Sequence, residues 1–149
     1  MKNKKVIIVV ASIIAIILVA LAVSFGIKKY NINKYTKADE YEVGNEKIAS
    51  IKTAVGEKKI TEYSHSKSNI ETIKLTFADS DSQNTVKQYI EYLKDNGNYI
   101  EMNVSDSNKR QIANPADQLI TVETEIIDGG FILTIEVGPG SIKVINNQE

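Results

Sequence analysis

His65 is the only histidine in the 149-residue chain, and Ser64 and Ser66 flank it. A serine, an imidazole and a carboxylate make a nucleophilic triad only when the imidazole bonds to both others. Neighbouring residues on a strand point to opposite faces, so Ser64 and Ser66 cannot both serve His65, which reads as an exposed residue near a hairpin turn. No second histidine and no cysteine is present to complete a metal set with it. Carboxylates offer one arrangement with chemistry in it. A Gly129-Gly130 turn would set Glu123 opposite Glu136, where two carboxylates could hold a hard cation or share a proton. A Gly138-to-Ser141 turn would set Lys143 opposite Glu136 and neutralise it, and an Asp128-Gly129 turn would move Glu123 opposite Thr134 and dissolve the pair. Tyr63, Tyr89, Tyr92 and Tyr99 could rim a carbohydrate or peptide groove, since phenols combine an apolar face with a polar tip. Tyr89 and Tyr92 also suit the edge of a helix face that meets a sheet. No glycine-rich loop follows a strand and opens a helix, so a phosphate cradle is not expected. No catalytic, cofactor-binding or metal-binding residue is assigned, no cofactor is expected, and the chain does not read as an enzyme.

The elements that position these residues begin with an apolar run from Val6 to Ile27. Fifteen of its 22 positions are Ile, Val, Leu or Phe, and only Ser12, Ser24 and Gly26 interrupt it apart from alanines. At ~1.5 Å per residue such a helix is about 33 Å long, which matches a hydrocarbon core of about 30 Å. Residues 1–5, with Lys2, Lys4 and Lys5, form a basic n-region ahead of it. Ala20-Leu21-Ala22 offers small residues to a signal peptidase, so the alternative is secretion after cleavage near Ala22. The run continues through Val23, Phe25 and Ile27, which favours an uncleaved signal anchor. Lys28, Lys29, Lys34 and Lys37 nearly balance the lysines on the other side, so charge alone leaves orientation open. The Sec-type start favours a single pass of the cytoplasmic membrane, with the N-terminus in and the C-terminal domain outside. Ala11, Ala15, Ala22 and Gly26 share a narrow arc and would let two helices approach, a route to a homodimer through the membrane segment.

All 19 acidic residues lie beyond Ile27, whereas Lys2, Lys4 and Lys5 among the 18 basic ones precede it. The outer part is therefore acidic, would be repelled by nucleic acid, and has no basic recognition stripe. A cysteine count of zero excludes disulfides, thiolate sites and a lipid-modified cysteine. Seventeen lysines against one arginine, with abundant Ile and Asn, suit an AT-rich bacterial genome, which makes the Asn103-Val104-Ser105 sequon incidental.

Residues 28–42 read as a polar juxtamembrane stalk without regular period, and residues 43–149 as one extracytoplasmic domain. A short helix is expected with Asn45 as cap, Ile48, Ile51 and Val55 on one face, and Gly56 at its end. Residues 59–65 and 70–77 read as two strands. Val86, Tyr89, Ile90 and Leu93 mark an amphipathic helix capped by Asp81 or Ser82 and ended at Gly97. Ile100, Met102 and Val104 alternate as a strand, and residues 105–118 read as a mobile polar stretch. Three meander strands follow at 119–127, 131–137 and 141–145. Val122, Thr124 and Ile126 share a face with Phe131, Leu133, Ile135, Val137, Ile142 and Val144, and the helix is the natural cover for it. The fold class is thus α+β: one N-terminal transmembrane helix, then a small antiparallel sheet of five or six strands with an amphipathic helix packed on it.

This layout is similar to that of many envelope proteins of Gram-positive bacteria, in architecture only. The expected role is a non-catalytic interaction module at the cell envelope that contacts a protein or envelope component on the outer face of the membrane. The alternatives are a small hydrolase acting on wall polymers and a structural subunit of a membrane complex.

Overall fold

The computed structural model describes residues 2–114 and 118–139. A long helix, α1 (Lys2–Lys37), opens the chain and is long and apolar enough over Val10–Lys37 to cross a membrane. A hairpin of β1 (Glu40–Val43) and β2 (Glu46–Ala49) follows, then the short helix α2 (Ile51–Val55). The rest of the chain supplies β3 (Lys59–Ser66), β4 (Glu71–Ala78), α3 (Ser82–Asn96), β5 (Ile100–Met102), β6 (Lys109–Asn114), β7 (Gln118–Ile127) and β8 (Gly130–Pro139). The last six strands form one antiparallel sheet in the order β3-β4-β8-β7-β6-β5, so the class is α+β.

Period-2 alternation builds the sheet's inner face from Ile73, Leu75 and Phe77 of β4, Phe131, Leu133, Ile135 and Val137 of β8, and Ile120 and Val122 of β7. Phe77 and Phe131 sit opposite each other and stack with ring centres 4.7 Å apart. Thr124 also lies on this face, where its hydroxyl donates to the Arg110 carbonyl. The cover is shared among three elements. The amphipathic face of α3 buries Val86, Tyr89, Ile90 and Leu93 over β7 and β8. The hairpin lays Tyr41, Val43 and Ile48 over β4 and β8, and the end of α1 packs on β3.

Residues 28–42, expected to lack regular period, are instead ordered in regular structure. α1 stays helical to Lys37, and β1 begins at Glu40. No glycine or proline breaks the helix between Lys28 and Lys37, and Ile32 and Tyr35 fall three apart on the face that meets the domain. The helix expected from Asn45 to Gly56 is instead a turn, a strand and a single helical turn. Gly44 takes φ +62 at the first central position of the hairpin, the conformation that a type II′ turn needs. Ser50, not Asn45, caps α2, and Gly56 ends it with φ +97 and ψ 169, positive in φ but extended instead of left-handed helical.

The stretch expected to be mobile over residues 105–118 contains β6, whose backbone bonds go to β7 and whose Ile112 is buried. The expected strand at residues 141–145, with Ile142, Lys143 and Val144, lies outside the described residues. Both edges of β8 are occupied by β4 and β7, which put Thr72 and Thr121 beside Glu136.

Candidate functional site

The end of α1 is held by the loop that follows β2. The last carbonyls of a helix have no partner within it and need donors from elsewhere. Lys52 Nζ donates to the Lys37 carbonyl at 3.0 Å and pairs with Asp39 at 2.7 Å. Ser50 Oγ donates to the Ala38 carbonyl at 2.6 Å, and the Asp39 carbonyl accepts from Ser50 N–H and Thr53 Oγ1. Ser50 also accepts from Thr53 N–H as the α2 cap, so one buried hydroxyl joins two helices. Apolar contact backs this polar clamp. Tyr35 stacks on Tyr63 at 5.0 Å and leans on Tyr41 at 5.9 Å, and Ile51 N–H donates to the Tyr41 hydroxyl at 3.2 Å. Burial pushes the Tyr41 hydroxyl pKa up more than that bond lowers it, which keeps the phenol neutral.

Beside this junction lies a groove of about 500 Å³, lined by Lys34, Tyr35, Ala38, Asp39, Glu40, Glu42, Ala49, Thr53 and Tyr92. A second hollow of about 300 Å³ shares Glu40, Ala49 and Tyr92 with it and adds Glu46, Lys47, Asn96 and Tyr99. The two follow β2 from the anchor helix toward the C-terminal end of α3. Burial first, and then the Glu46 carboxylate, push the Tyr99 hydroxyl pKa up to about 12. Asp39 is paired with Lys52, and Glu40 lies 3.9 Å from Lys47. Among the described residues Glu42, Glu46 and Lys34 have no ion-pair partner, so the rim mixes both signs with a slight excess of carboxylates. Such a lining suits a positively charged or hydrogen-bonding guest and offers no nucleophile with a base.

The residues singled out from the sequence are dispersed. His65 lies on β3, and its Nε2 is 2.7 Å from Glu71 Oε1, a partner the sequence did not reveal. The His65 bond chiefly depresses the Glu71 pKa; partial desolvation opposes this, while a Gly44 N–H bond and the Lys67 charge add to it. Ser64 and Ser66 pair with Lys74 and Thr72 on the opposite face, so no triad forms. The turn is Asp128-Gly129, with Gly129 at φ +72, and it sets Glu123 opposite Thr134 and Glu136 opposite Thr121. The carboxylate pair therefore does not assemble. Lys109 lies between Glu123 at 3.5 Å and Glu125 at 3.6 Å, and their charges, Glu123 first, hold its pKa up. Among the described residues no group of three His, Cys, Asp or Glu could hold a metal ion.

Of the four tyrosines, Tyr92 and Tyr99 do rim the hollow along β2. Tyr89 is buried beneath it and donates to the Ala49 carbonyl at 2.9 Å, and Tyr63 is stacked under α1. The groove residues that sequence reasoning missed are Lys34, Tyr35, Glu42 and Glu46. Tyr41-Glu42-Val43 does alternate a wet residue between two buried ones, but three residues are too few to establish a strand period, and Lys34, Tyr35 and Glu46 lie outside it. No protein-family model, curated protein or solved structure matches this chain.

Proposed function

We propose that the chain is a membrane-tethered, non-catalytic interaction module at the bacterial cell envelope. It spans the cytoplasmic membrane once, with its N-terminus inside and its α+β domain outside. The observation that carries this reading is the continuity of α1, which runs from an apolar span into the domain and is clamped there by Ser50, Lys52, Thr53 and the Tyr35 stack. A flexible tether would only concentrate the domain near the surface. A docked helix also fixes its height and tilt. Lys34 lies seven residues past Ile27, so the groove stands about 10 Å above the apolar segment. That position suits a partner lying on or in the same membrane.

Site-specific photo-cross-linking in intact cells tests the reading, with the cross-linker at Tyr92 in the groove and at Thr134 on the outer sheet face. Cross-links to an envelope protein from either position support the module. A domain that yields none, together with turnover of a wall polymer by the purified chain, would replace it with the hydrolase reading. Carbonate extraction with intact-mass measurement tests the anchor, and soluble material beginning at Val23 would refute it.

A further inference from the structure

The path of α1 sets which end of the domain faces the membrane. Its last carbonyls, together with that of Ala38, meet Lys52 and Ser50 at the open end of the β1-β2 hairpin. Tyr35, about one turn back toward the membrane, lies beside Tyr41 and Tyr63. Burial first, then Tyr63, and beyond them the charges of Glu42 and Glu71 push its hydroxyl pKa up, so those two carboxylates are near neighbours. Ile32, another turn back, is still partly buried against the domain. The helix therefore descends alongside β1 and β3 toward the hairpin turn at Gly44 and the β3-β4 turn at residues 67–70. The two turns belong to one end of the sheet, where Gly44 lies against Glu71 and Val137, and Ile70 against Gly138.

Chain lengths put that end at the lipid surface. Tyr35 is eight residues past Ile27, so it stands about 12 Å above the apolar segment. Lys67 is four residues beyond Tyr63 in the direction of β3, about 13 Å lower if the strand runs along the helix and about 10 Å lower at an inclination of about 40°. The headgroup layer is about 5–7 Å thick on each side of the bilayer, so either value brings the turn into it. What the turn exposes suits that place. Beyond α1, the large apolar side chains exposed among the described residues are Ile70 at 49% and Ile100 at 38%, and Ile70 belongs to this turn. The Lys67 side chain is 75% exposed, and Lys28 and Lys29 leave the apolar segment at the same level. Glu71 beside them is held by His65 at 2.7 Å.

We infer that the β3-β4 turn rests on the lipid surface that α1 crosses, with Ile70 entering the boundary between acyl chains and headgroups and Lys67 meeting lipid phosphate. This contact depends on α1 spanning the membrane, as proposed above, and adds a second point of attachment to it. A lysine stem lies along apolar surface while its ammonium reaches an anionic headgroup. One helix alone lets the domain lean with it. A second contact fixes the tilt, and with it the direction in which the groove opens.

The test uses the full chain in nanodiscs of phosphatidylethanolamine and phosphatidylglycerol that carry a nitroxide quencher near the top of the acyl chains. The chain has no cysteine, so a fluorophore can be placed singly through Asn69→Cys in the turn, Ser24→Cys in α1, or Asp128→Cys. Asp128 adjoins Gly129 at the far end of the sheet, where Ala78 pairs with Gly130. Lipid should quench the label at position 69 at least about threefold more than the label at position 128, and should quench the one at position 24 fully. Ile70→Glu with Lys67→Glu should at least halve the quenching at position 69, with α3 amide protection kept as the control for folding.

Quenching at position 24 without any excess at position 69 overturns the lipid contact and leaves the anchor standing. Quenching at position 69 that survives Ile70→Glu with Lys67→Glu overturns it as well, because the tether alone would then bring the turn near lipid. An unquenched label at position 24 would remove α1 from the membrane and both readings with it.

Discussion

Replacing Tyr35 by alanine should release the domain from its anchor helix while leaving the domain folded. Tyr35 keeps only 7% of its surface exposed although it belongs to a helix that is otherwise open over its apolar length. Burying a tyrosine ring removes on the order of 150–200 Å² from water, worth about 4–5 kcal/mol at ~25 cal/mol per Å². The contacts with Tyr63 and Tyr41 add about 0.5–1.5 kcal/mol each, and partial collapse of the site returns some of the total. A net loss of about 3–5 kcal/mol, the usual range for truncating a buried aromatic, is therefore expected. At ~1.4 kcal/mol per tenfold, the undocked population rises between about a hundredfold and a few thousandfold. Half-buried Ile32 and the clamp from Ser50, Lys52 and Thr53 do not make up that loss, because each such bond contributes only about 0.5–1.5 kcal/mol net.

The chain has no cysteine, so spin labels on cysteines introduced at Lys29 and Thr134 report helix-to-domain distance by pulsed EPR without background. The parent in nanodiscs should give one narrow distance distribution, Tyr35→Phe should keep it, and Tyr35→Ala should broaden it severely. A narrow distribution in Tyr35→Ala would refute the assignment of docking to this ring. A broad one in the parent would refute rigid docking altogether.

Leu93→Asp puts a carboxylate at a site that is 3% exposed between α3 and the sheet, at a cost of several kcal/mol, so cooperative melting of the domain should be lost. A melting temperature within about 3 °C of the parent would mean that this face is not buried. Gly130→Ala should destabilise by about 1–3 kcal/mol in denaturant titrations, because a Cβ there would sit 1.9 Å from the Phe77 carbonyl oxygen and force β4 and β8 apart. An unchanged midpoint would contradict the close approach of these strands.

Stability should also fall in acid. Three carboxyls have depressed native pKa values: Glu71 through His65, Glu101 through Arg110 and then Lys94, and Asp79. At Asp79 burial acts upward, and the bonds from Thr85, the Asp81 N–H and Lys58 outweigh it. A depressed native pKa stabilises the fold fully above the unfolded value and is lost as pH falls through the native one. Melting temperature should hold from neutral pH down to about 5 and decline as pH drops below 4.5 and 3.8, the unshifted values for these groups. A profile that stays flat down to pH 3 would show that these pairs contribute nothing to the fold.

The sequence alone determined what periodicity and composition encode locally. The apolar run, broken only by small residues, reads as a helix long enough to cross a membrane, Val86, Tyr89, Ile90 and Leu93 repeat at helical spacing, and the strands at β3, β4, β7 and β8 alternate cleanly enough to read. The hairpin register was underdetermined, since Asp128-Gly129 and Gly129-Gly130 are both acceptable turns. Pairing with β4 at Phe77 and Phe131 and with β7 at Val122 and Ile135 selects Asp128-Gly129, and with it the separation of Glu123 from Glu136.

Short elements were illegible for a related reason. β1, β2 and β6 carry too few apolar positions to show a period; β1 and β2 satisfy each other's backbone groups and β6 pairs with β7, while tertiary packing buries Tyr41, Val43, Ile48 and Ile112. The groove is the product of such tertiary placement. Lys34 and Tyr35 come from the anchor helix, Glu42 and Ala49 from the hairpin, and Tyr92 from α3, so only the packing of α1, β2 and α3 against one sheet brings them to a common wall.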